Sequence, residues 1–173
     1  MVTIKKQINT GGIMKARKLV FLAVMVLVIC GVCQGSGEVG KKAPEFTIRQ
    51  WITENPPVGK GSAGKARVVE FWATWCAPCV RSIPHLIELN NKYSKKGVEF
   101  ISLSQDKSAE KLRKFVKQKK INYHVAIDNG TADWYGVTGY PTVFVLNRSG
   151  DVAWKGYPWS DGFEKAIAKA SGS

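Results

Sequence analysis

Residues Val68 to Trp72 (VVEFW) form the β-branched and aromatic run of a buried strand. Just beyond it come Cys76 and Cys79, and from there the apolar residues recur at helical spacing. A C-x-x-C pair at a strand-to-helix junction narrows what this chain can be. The sequence has four cysteines, and Cys30 and Cys33 lie in or beside an N-terminal apolar run, so the rest of the chain keeps only this pair. A disulfide-stapled scaffold would have more cysteines, widely spaced. A lone C-x-x-C also offers a metal two thiolates where structural zinc takes four ligands. His85, after Pro84 on the helix, and His124, in a strand-like run, are the residues able to complete such a set. Redox chemistry is the better reading, and a carrier of copper or another metal using the same cysteines is the alternative.

Strand and helix alternate from there on. Val80, Ile83, Leu86, Ile87, Asn90 and Tyr93 make a stripe that ends near Gly97, and Val98 to Leu103 is a second strand. Ser108 to Lys119 is a helix with Leu112, Phe115 and Val116 inward and a basic outer face that reads as a solvated surface. Tyr123 to Ile127 is a strand, Thr131 to Tyr135 a helical turn, and Thr142 to Leu146 a strand. Asn147 to Gly150 turns into Val152 to Lys155, and Asp161 to Ala170 closes as a helix. Ala43 to Val58 reads as an irregular lead-in. This order implies an α/β fold with a central mixed sheet flanked by helices.

The net charge of +13 suggests nucleic acid until its distribution is examined. Five of the 26 basic residues precede the apolar run Leu19 to Val32, and all 13 acidic residues follow it; without residues 1–35 the excess is +8. No arginine-rich motif or recognition-helix pattern accompanies it, so no nucleic-acid partner is expected. Lys15 to Lys18 followed by 14 apolar residues fits a secretory signal and falls short of the roughly 20 that span a bilayer. Met14 is a natural start for it. An uncleaved anchor, or lipid attachment at Cys33 or Cys30, are the other readings, and all three carry the chain across a membrane. The expected division is therefore 1–35 as extension and signal peptide or membrane anchor, 36–42 as linker, and 43–173 as one domain.

Phe71 to Cys79 reads FWATWCAPC, Pro84 lies eight residues beyond Cys76, and Tyr135 to Gly150 reads YGVTGYPTVFVLNRSG. This wording resembles the thioredoxin superfamily, and in particular the exported TlpA/ResA-type thiol–disulfide oxidoreductases, over about Ala43 to Ala170. The resemblance implies a thioredoxin-like fold and a redox-active Cys76–Cys79 disulfide, with no other cofactor and no metal. Cys76, at the helix N-terminus where unpaired N–H groups favour a negative sulfur, is then the attacking thiolate, and Cys79 the resolving thiol. Pro78 suits the first helical turn. Pro141 is implied to be cis, leaving the Tyr140 backbone to pair with an extended client. Glu70 stands where thioredoxins carry a buried acid, able to relay the Cys79 proton. Trp75, Ala77, Pro78 and Tyr140 are the implied client-contact residues.

One position departs from the pattern: several ResA-type reductases have glutamate three residues beyond the second cysteine, and here it is Ser82. The expected partners are protein thiol or disulfide clients and a membrane electron donor. The expected location is extracytoplasmic, with any membrane attachment through the N-terminus alone. A reductant in client or cytochrome maturation is the leading reading. A thiol peroxidase, which shares the fold, lacks support in FWATWCAPC.

Overall fold

The computed structural model describes residues 37–54 and 64–172. Six strands, β1 (Ile48–Trp51), β2 (Ala66–Trp72), β3 (Val98–Ser104), β4 (His124–Asp128), β5 (Thr142–Leu146) and β6 (Val152–Gly156), form one sheet in the order β1-β4-β3-β2-β5-β6. The central β2, β3 and β4 run parallel, and β1, β5 and β6 pair antiparallel. The helices are α1 (Ala77–Tyr93), α2 (Ala109–Gln118), the short α3 (Thr131–Trp134) and α4 (Phe163–Ser171). The α/β fold with a central mixed sheet flanked by helices, expected from the element order, is the one found.

Every residue of β2 is buried, because helices cover both faces of the sheet at its centre. Successive side chains alternate between two cores. Val68 and Trp72 join Ile83 and Leu86 of α1, Leu112 of α2, and Phe163 and Ile167 of α4. Val69 and Phe71 join Ile101, Leu103, Phe144 and Tyr135 on the opposite face, with Phe46 packed against them. Arg67 can sit in this strand because its Nε donates to Glu99 Oε2 at 2.9 Å, so the buried cation keeps an ionic partner. The parallel strands all end at one edge of the molecule, and there the chain enters α1.

Local signals set the helix ends. Ser108 caps α2 by accepting from the Lys111 N–H at 3.3 Å. After α1 a single 3₁₀ turn (Ser94–Lys96) leads to Gly97, whose φ of +81° is a left-handed stop.

The structure corrects two readings. The lead-in is not wholly irregular: Ile48–Trp51 adds β1 as an edge strand on β4. Its two central residues are exposed and its pairing is bulged between Ile48 and Gln50, so it lacks the alternation that marks a strand in sequence. Residues 37–42 are likewise docked on the domain. The Gly40 N–H donates to the Val152 carbonyl at 2.8 Å, Val152 N–H donates back to Lys41 at 2.8 Å, and Ala43 N–H reaches Gly150 at 3.0 Å. Gly37 lies so close to α3 that a Cβ there would sit 2.0 Å from the Tyr135 carbonyl oxygen. The stretch expected as a linker is held there by its own backbone groups.

No helix among the described residues is long and apolar enough to cross a membrane. The expected signal or anchor, with Cys30 and Cys33, lies outside the described residues.

Candidate active site

The turn Ala73–Cys76 joins β2 to α1 and is closed by the Cys76 N–H donating to the Ala73 carbonyl at 3.2 Å. Cys76 is the N-cap of α1, with extended backbone (φ −87°, ψ 98°) and no side-chain cap bond, so its sulfur lies beside the unpaired N–H groups of the first turn. Pro78 falls within that turn, where its missing N–H leaves nothing unpaired. Cys76 and Cys79 are joined as a disulfide. Cys76 keeps a sliver of surface (7%) and Cys79 has none, which orders them as outer and inner sulfur. No acidic residue sits in the first turn of α1, so nothing on the helix itself opposes a thiolate there.

The Tyr140–Pro141 bond is cis, as the resemblance implied. Trp75, two-thirds exposed, meets the half-buried Tyr140 ring edge-on at 6.1 Å between centroids, so the loop before β5 borders the residue preceding Cys76. On the far side of Pro78, a groove of about 700 Å³ runs between α1 and the β6–α4 connection, lined by Pro78, Arg81, Ser82, His85 and Trp159. Trp72 is core, and Trp154 stacks on Phe163 at 5.2 Å.

Glu70 shares the face of β2 with Val68 and Trp72, and that face carries the cluster containing Cys79. It is 2% exposed. Its Oε2 accepts a short bond from Ser102 Oγ, the residue directly opposite on β3, and Oε1 has no partner among the described residues. Burial pushes its pKa from 4.5 up to about 7, against the smaller opposing pull of the Ser102 bond. Tyr123 is itself buried beside the same pair; burial and then the Glu70 charge hold its hydroxyl well above the usual phenol range. A carboxyl whose pKa burial raises toward neutrality, on the sheet face that holds the inner cysteine, has the protonic properties a general acid–base needs.

Sequence reasoning did not single out Ser102, Tyr123 or Asp106. Ser102 occupies a strand position where any half-polar residue would be unremarkable, and its meaning comes from its register opposite Glu70, while Tyr123 immediately precedes β4. Asp106, in the loop after β3, bonds the active-site turn at Thr74. Ser82 is buried and donates to the Cys79 carbonyl at 2.8 Å, so the position of the family's glutamate holds a neutral hydroxyl. No group of three or more His, Cys, Asp or Glu side chains able to hold a metal exists among the described residues. His124 packs on Trp51 at 6.4 Å and His85 on Phe163 at 6.5 Å.

The Redoxin family profile matches residues 38–170. The chain belongs to the Redoxin family. It is 36% identical over 152 residues to the thiol-disulfide oxidoreductase ResA of Bacillus thuringiensis subsp. konkukian, covering 80% of this chain and 87% of that one. The ResA of Bacillus anthracis is 34% identical over the same shares of the two chains. Among solved structures, a thiol:disulfide interchange protein DsbE from Chlorobium tepidum aligns with a TM-score of 0.62 and 28% identity, over 81% of this chain and 96% of its own. The thioredoxin domain of a Bacteroides vulgatus thiol-disulfide oxidoreductase has the same fold, with a TM-score of 0.67 at 21% identity over 76% and 96% of the two chains. The chain is a thioredoxin-like thiol–disulfide oxidoreductase of ResA-like type.

Proposed function

We propose that this oxidoreductase works outside the cytoplasm as a reductant of disulfides in protein clients. The observation that carries the reading is the Cys76–Cys79 disulfide at the N-terminus of α1, with its outer sulfur at the surface and its inner sulfur buried on the face that also holds Glu70. The N-terminal basic and apolar run supports export, by cleaved signal, anchor or lipid.

In the reduced protein the Cys76 thiolate attacks one sulfur of a client disulfide, and the other client sulfur leaves as thiolate. Glu70 carboxylate takes the Cys79 proton. The Cys79 thiolate then attacks Cys76 Sγ, forming the Cys76–Cys79 disulfide and releasing the second client thiolate. Two electrons pass from the dithiol to the client, and a membrane electron donor restores the dithiol. Client backbone pairs at Tyr140 beside Pro141, while Trp75, Ala77 and Pro78 contact its side chains. Maturation of protein clients is the setting. Cytochrome apoproteins are one class of them, although Ser82 lacks the glutamate found in several ResA-type reductases.

The deciding measurement is the reduction potential of the Cys76–Cys79 couple in the full-length protein. It is equilibrated in glutathione buffers, alkylated and read by mass on the peptide carrying both residues. A value at or below about −220 mV supports the reductant, and one near about −120 mV reverses the direction. Failure to form the disulfide at any poise removes the redox reading altogether.

A further inference from the structure

Asp106 lies in the loop after β3, far from Cys76 in sequence, yet its carboxylate is spent on the turn that presents Cys76. Oδ2 accepts from the Thr74 backbone N–H at 2.9 Å and from Ser104 Oγ at 2.6 Å, and Oδ1 accepts from Thr74 Oγ1 at 2.6 Å. The Asp106 N–H donates back to Ser104 Oγ at 3.1 Å. Around this knot the Gln105 N–H donates to the Trp72 carbonyl at 2.9 Å, extending the β2–β3 ladder one step into the loop. Arg49 of β1 holds the other side, its Nη2 donating to the Lys107 carbonyl at 2.6 Å. Gln105 Nε2 reaches Asp128 at 3.0 Å, and Asp128 in turn accepts from the Thr131 and Ala132 N–H groups that open α3. One loop thereby ties the edge strand, the catalytic turn and α3 together.

We propose that Asp106 is a positioning residue of the redox site that also sets its poise: it holds the Thr74–Cys76 turn and keeps a negative charge bonded to the turn that carries the forming thiolate. The proposal rests on the reading of Cys76 as the attacking thiolate. Three hydrogen bonds fix the carboxylate in place, so it cannot swing away when a second negative charge appears on Cys76. α1 itself carries no acid in its first turn, so Asp106 is the anion bonded to the turn. A like charge disfavours the thiolate, and with it the reduced form. Strong oxidants of this fold are strong because their reduced form is stabilised, and Asp106 acts in the opposite direction. The sign agrees with a reductant.

The test is the pH profile of Cys76 alkylation by iodoacetamide in the reduced full-length protein, resolved by mass on the Cys76 peptide. Wild type is compared with D106N and T74V. D106N is isosteric and removes the charge. T74V cuts one bond of the clamp and leaves the charge. The Cys76 midpoint is expected to fall in D106N, giving roughly threefold more thiolate below the midpoint. The potential measured above that midpoint rises by the equivalent of about 15 mV. T74V leaves the midpoint where it is and slows reduction of a protein disulfide. An unmoved midpoint in D106N overturns the proposal, as does the same downward shift in T74V, which would make the effect one of loop geometry. A wild-type protein that exchanges no disulfide would instead refute the oxidoreductase reading, so the two failures are distinguishable.

Discussion

Glu70 provides the sharpest check on the site, because its burial has a consequence for stability as well as for proton transfer. Its side chain is 2% exposed, with one oxygen bonded to Ser102 and the other without a partner among the described residues. Burial raises its pKa from 4.5 to about 7. An acid whose pKa is higher in the folded state binds more protons folded than unfolded between those two values. The Glu70 contribution to stability is therefore greatest below pH 4.5, declines as pH rises, and reaches its floor once pH passes about 7. At about 1.4 kcal/mol per pKa unit, the rise amounts to a loss of about 3 kcal/mol across that window. Glu70→Gln keeps the shape and cannot ionise. Urea unfolding of both proteins in the oxidised state, from pH 4.5 to 8, isolates Glu70 as a difference and cancels other titrating groups such as His124. The variant should gain on wild type by about 1.4 kcal/mol per pH unit through the middle of that range. A pH-independent difference between the two proteins would refute the raised pKa of buried Glu70.

Three further expectations follow from the same geometry. Ser102→Ala removes the donor that favours the Glu70 carboxylate, so the Glu70-dependent limb of the disulfide-exchange rate moves to higher pH, read from the pH–rate profile. Trp75→Ala truncates a ring that is 67% exposed, so melting is nearly unchanged, while KM for a protein disulfide rises roughly threefold to tenfold. Leu112→Ala empties a fully buried site where α2 meets the sheet, and denaturant unfolding should show a loss of about 2–5 kcal/mol with thiol chemistry intact.

Most of the architecture was legible because it rests on local signals. β2 announces itself by an unbroken buried run, α1 by its apolar stripe and Gly97, and α2 by Ser108 before an amphipathic repeat. The C-x-x-C pair is legible for the same reason: four consecutive residues place both sulfurs on the first turn of one helix. β1 was not legible, since a short edge strand with an exposed middle draws its identity from β4 rather than from its own pattern. Nor was the docking of residues 37–42, which is made by backbone groups that every residue carries.

The chain's own sequence determined the reactive pair, its place at a strand-to-helix junction and the acid inside β2, because each is a property of a few adjacent residues. Tertiary structure alone decided what surrounds them. Register set Ser102 opposite Glu70, and the sheet order brought the loop after β3 onto the catalytic turn, so that Asp106 bonds Thr74 across 32 positions of sequence. Hydrogen bonds and electrostatic coupling depend on distance in space. Chain spacing reports that distance only within a helical turn or a hairpin, and the environment that tunes these sulfurs is assembled from farther away.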